Sequence, residues 1–145
     1  MSSLKTNFVM TMAVSFFGIV LIELICFLPI MSKVGFYLDD WATLAYMYFG
    51  PKEHGAFGLM RYYLLNDLLV VIRPVEALHF GLVYWNFNLN PFPWHVVNMV
   101  LEIAVAALSC QIVRKLSGSA YIGFFAAVFI LLCPTHDSSH YWVVC

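Results

Sequence analysis

Two adjacent carboxylates, Asp39 and Asp40, stand in the stretch VGFYLDDWATLAY (34–46) of a 145-residue chain that is 63% hydrophobic and 10% charged. A charge kept in such surroundings is costly, so each one calls for a reason. A carboxylate here can accept the proton of an attacking hydroxyl or hold a divalent cation through oxygen, and the same residues also suit a helix cap at a membrane surface. Arg73 offers a bidentate grip on a phosphate, or an interfacial side chain whose stem lies in lipid while its head reaches water. His136, Asp137 and His140 are metal-ligating types, but His-Asp-x-x-His needs a further ligand to complete a site. A nucleophile elbow, a glycine-rich phosphate loop and a dinucleotide fingerprint are all missing, so the sequence gives the soluble enzyme classes no support.

The elements that must position these residues are membrane elements. A mean hydropathy of +0.86, with 17% aromatic residues and a net charge of −1, lies outside the range of water-soluble domains. It also gives no footprint for nucleic acid. Residues 8–31 carry one charge, Glu23, and exceed the roughly 20 residues needed to cross a hydrocarbon core. The run ends in CFLPIMSKVGF without a small-residue cleavage site, which reads as an uncleaved anchor. The four cysteines, Cys26, Cys110, Cys133 and Cys145, lack metal-ligand spacing and read as small hydrophobes.

After span 1, residues 32–93 form a long first loop. A helix through WATLAYMYF should stop at Gly50-Pro51, and a second should open at Pro74. Neither LMRYYLLNDLLVVI nor PVEALHFGLVYWNF spans comfortably, so both are placed in the interface as amphipathic helices, where Tyr and Trp rings are favoured. Residues 94–115 give span 2, which ends in Arg114 and Lys115, and a tight SGSA turn leads to a short span 3 over 119–134. Residues 135–145 begin a second outer loop. The expected fold is therefore an all-α integral membrane protein of about three spans with surface helices in its first loop.

Lys5, Arg114 and Lys115 flank the spans on one side, which places the amino terminus in the cytoplasm. The acid pair, Arg73, His95 and THDSSHYW then converge on the opposite face. On span 2, His95, Asn98, Glu102 and Ser109 fall at i, i+3, i+7 and i+14, one stripe that should avoid lipid. At about 1.5 Å per residue, Glu102 lies about 10 Å and Glu23 about 12 Å below the outer boundary, which makes them candidate neighbours. Either each glutamate is separately hydrogen-bonded within a larger helix bundle, or at least one is protonated or paired with His95, since two ionised carboxylates in low dielectric repel.

The order of these features, FYLDDW, then IRPVEALHFGLVYWNFNLNPFPWHVVNMVLE, then a short basic turn and AYIGFFAAVFILLCPTHDSSHYW, resembles the amino-terminal region of the C-type glycosyltransferase superfamily. It is most similar to the branch related to protein O-mannosyltransferases and tetratricopeptide-containing membrane transferases. The matching positions are Asp39 and Asp40, Arg73 and Pro74, His95 and Asn98, and Pro134 through Trp142. The chain departs from that pattern at Glu102, where the family often has a second histidine, and at Ser138, where it usually has a glutamate. The resemblance implies transfer of a sugar from a polyprenyl-phosphate carrier to an acceptor at the outer boundary. Asp39 would then be the base, with Asp40 as the second choice, and Arg73 would hold the donor phosphate. A divalent cation on either aspartate stays open. Such transferases have many more spans, so the chain is expected to be part of a longer protein, in a bacterial inner membrane with its first loop periplasmic.

Two other readings compete. In one, the chain is a non-catalytic subunit that packs against partner helices through small residues such as Gly123, Ala126 and Ala127. In the other it is a piece of a transporter, favoured by Glu23 and Glu102, although no inverted repeat is visible.

Overall fold

The computed structural model describes residues 2–36, 38–67 and 73–132, and all regular structure among them is helical. The order is α1 (Ser2–Cys26), α2 (Leu28–Met31), α3 (Leu38–Phe49), a 3-10 turn (Lys52–His54), α4 (Gly55–Asn66), α5 (Pro74–Phe87), α6 (Pro91–Ser117) and α7 (Ala120–Leu132).

Two segments are long and apolar enough to cross a membrane, Met12–Met31 and Pro91–Ser117, a feature compatible with membrane integration. In each, 17% of the most apolar window is buried inside the protein, so these are not helices enclosed by a soluble core. The expected third span, 119–134, corresponds to α7, of which the 13 described residues reach about 20 Å against a hydrocarbon core of about 30 Å. Among the described residues two helices are long enough to span, and Pro134, expected to close the third, lies outside them. Span 2 begins earlier than its apolar run suggests. Asn90 accepts a bond from the Phe92 backbone N–H at 3.3 Å and Pro91 supplies the first turn, so the helix starts at a cap.

Two cores result. In the membrane-type core, Ile19 of α1, Ala106 and Cys110 of α6, and Ala127 and Leu131 of α7 pack together. A side-chain carbon at Gly123 would sit 2.6 Å from the Cys110 carbonyl, so the α6–α7 hairpin closes only because that carbon is missing. Gly123 and Ala127, expected to meet partner helices, are spent inside the chain.

The second core unites α3, α4 and α5 over the start of α6. Its buried members include Leu44, Met47, Leu59, Phe80 and Trp94, with Tyr63 and Tyr84. Gly81 lets α5 lie against α4, because a side-chain carbon there would meet the Ala56 carbonyl at 2.7 Å. This close approach accounts for a helix starting at Gly55, where the sequence reads as a loop. Trp94 ties the unit to span 2: it is fully buried and its indole N–H donates to the Asn88 carbonyl at 2.9 Å.

Candidate functional site

The start of α3 carries the acid pair. Asp39 and Asp40 fall in its first turn, where free backbone N–H groups and the helix dipole favour negative charge. Asp40 is wholly buried. It lies within electrostatic reach of His95, itself wholly buried in the first turns of α6. The His95 ring also meets the backbone of Gly35, although neither ring nitrogen makes a hydrogen bond of full geometry. Residues 55 positions apart in sequence, Asp40 and His95, are thus brought near each other where α3 lies over the start of α6. The side chain of Asp39 lies outside the described residues.

Along α6, His95 is buried, Asn98, Glu102 and Ser109 are partly buried, and Leu101 and Leu108 are more than half exposed, as is Val105, seven positions after Asn98. Glu23 is wholly buried on α1, which packs against α6, and both carboxylate oxygens of Glu102 are withdrawn from the surface. The environment found for His95 is Asp40 and Gly35.

His79, on α5, is a member that sequence reading missed. It hydrogen-bonds Asn98, and burial pulls its pKa below the ordinary 6.5 while the Asn98 bond opposes that pull. The His79–Asn98 bond therefore fastens α5 to the amino-terminal end of α6, where Asp40 of α3 lies within electrostatic reach of His95. The only signal in the sequence was a lone histidine in the apolar run EALHFGLV, which by itself specifies no partner. A second missed pair is Thr43 with Tyr63, hydroxyl to hydroxyl at 3.1 Å in the core between α3 and α4. Burial pushes the Tyr63 phenol up to about 12, aided by the nearby Glu76 and Asp67 carboxylates and opposed by the Thr43 bond.

Arg73 sits immediately before α5 with its side chain 62% exposed, in a loose pair with Glu76 at 3.4 Å. It is accessible to an anion arriving from water, and no contact links it to Asp40 among the described residues. No group of three or more His, Cys, Asp or Glu gathers as metal ligands among the described residues. His136, Asp137 and His140 lie outside them, as does the side chain of Asp39.

Among the described residues the fold is α-helical, with two helices able to cross a membrane and, where a small helical unit meets one of them, a buried aspartate within electrostatic reach of a buried histidine. Over 67 residues the chain is 33% identical to the mouse (Mus musculus) protein O-mannosyl-transferase TMTC2, a match that takes in 46% of the chain. The same stretch amounts to 8% of that protein's length, so the likeness hints at a distant relationship and at glycosyl transfer. A murine relative does not support the bacterial membrane expected from the sequence. No family model and no solved structure matches the chain.

Proposed function

We propose that the chain contributes the acid-bearing front of a membrane glycosyltransferase. The enzyme takes a sugar, by analogy mannose, from a polyprenyl phosphate and passes it to an acceptor hydroxyl at the extracytoplasmic boundary. The observation that carries this reading is the wholly buried Asp40 at the start of α3, within electrostatic reach of the wholly buried His95, with the likeness to a mannosyl-transferase in support. Asp40, wholly enclosed, is poorly placed to receive a proton from an arriving acceptor. It serves to set the pitch of α3, and the base is Asp39, about 100° further round the helix.

In the step, the acceptor O–H gives its proton to the Asp39 carboxylate and its oxygen bonds to the anomeric carbon. The bond from that carbon to the phosphate oxygen breaks, and its electron pair leaves with the polyprenyl phosphate. Arg73 exchanges its loose hold on Glu76 for the phosphate, which gains charge as the sugar departs. The lipid tail explains why such an enzyme is built from apolar helices.

The test is transfer of radiolabelled mannose from polyprenyl-phosphate mannose to a serine- or threonine-containing peptide, with the protein in its native membrane. Asp39→Asn is expected to lower the rate about 10²- to 10⁴-fold while insertion stays normal. Turnover near that of the native protein would remove the assignment. The subunit reading loses ground because Gly123 and Ala127 are already used within the α6–α7 hairpin.

A further inference from the structure

The residue after Asp40 behaves unlike it. Asp40 is enclosed, whereas Trp41, on the next face of α3, is 54% exposed. Its indole is not loose. Phe36 meets it edge-on, with ring centroids 5.5 Å apart and planes at 74°, and Phe36 stands edge-on to the buried Trp94 at 6.0 Å and 88°. The chain of rings therefore ends on the indole locked by the Asn88 carbonyl. Gly35, whose backbone meets His95, directly precedes Phe36, so the segment that closes the Asp40–His95 pair also braces Trp41.

Anchoring at a lipid headgroup layer calls for an amphipathic ring but not for a fixed one. A braced indole with an open surface beside an acid pair suits a ligand that must be held in one orientation. Resting on the transfer proposed above, we infer that Trp41 is the platform on which the hexopyranose ring being transferred stacks. A pyranose presents one face of C–H bonds with slight positive character, and the indole face is negative, so the two stack. The ring hydroxyls and the anomeric carbon then stay free for hydrogen bonding and for attack.

The experiment is initial-rate kinetics in the native membrane with polyprenyl-phosphate mannose as donor, a hydroxyl-bearing peptide as acceptor, and bare polyprenyl phosphate as competing inhibitor. Trp41→Leu is expected to raise the donor KM about five- to tenfold, the size of a lost aromatic contact, with kcat changed by less than about twofold. The inhibition constant of the sugarless lipid stays unchanged, and Trp41→Tyr recovers most of the loss. An unchanged KM overturns the inference, and so does a parallel rise in KM and in that inhibition constant, which would mark Trp41 as a lipid anchor. If Trp41→Leu does not accumulate, Trp41→Phe carries the same comparison, with a rise in KM of about threefold expected. No transfer by the native protein, or an Asp39→Asn protein as active as native, would overturn the transferase reading itself and this inference with it.

Discussion

Asp40 and His95 are enclosed on different helices within electrostatic reach of each other, and the α3–α5 unit buries a further polar pair. Tyr63 and Thr43 satisfy each other where neither can reach water. Replacing Tyr63 by Phe leaves the Thr43 hydroxyl alone and is expected to cost about 1 kcal/mol in chemical denaturation. The phenol also sets an alkaline limit. Its folded pKa, about 12, lies above the ordinary 10, so the stability it confers is intact below pH 10 and drains away as pH rises towards 12. A tyrosinate absorbance titration should find one phenol ionising with the loss of helix, and Tyr63→Phe should remove that phase. His79 sets the acid limit. Its pKa is lowered, so the unfolded chain takes up the proton first and stability falls as pH drops below about 6.5. His79→Gln should flatten that fall when unfolding is followed by circular dichroism between neutral and mildly acid pH. An unaltered slope would show that His79 does not titrate on unfolding.

Among the elements, the helices that sequence could place are those with strong local punctuation. Pro74 opens α5, Gly50-Pro51 ends α3, and the charge-poor runs give α1 and α6. The start of α4 was not legible, because Gly55 and Gly58 are poor helix formers and it is packing against α5 that holds them helical. Neither was the partner of His79, since a hydrogen bond between α5 and α6 follows from how helices cross and leaves no mark in local spacing. The stripe on α6 was legible because a period of 3.6 forces its members to one face. The α6–α7 hairpin yields the prediction for this scale. Gly123→Leu must push α7 away from the Cys110 carbonyl and is expected to cost about 1 to 3 kcal/mol or to stop the protein accumulating. Ala126→Leu, on a less enclosed face, serves as the control.

For the whole molecule, the account rests on one junction, where the α3–α5 unit meets α6. That the acid pair and His95 share an end of the molecule followed from span order and the distribution of Lys and Arg. That Asp40 rather than Asp39 would be enclosed, and that Trp41 would be braced by Phe36 and Trp94, depended on tertiary packing and was not legible. The most direct test of the junction is a double-mutant cycle of Asp40→Asn and His95→Gln, read as unfolding free energy in detergent. If the two groups hold α3 to α6 as a unit, the double variant loses less than the sum of the single variants, with a coupling of about 0.5 to 3 kcal/mol. Strictly additive losses would contradict the account, because Asp40 and His95 would then not act on each other.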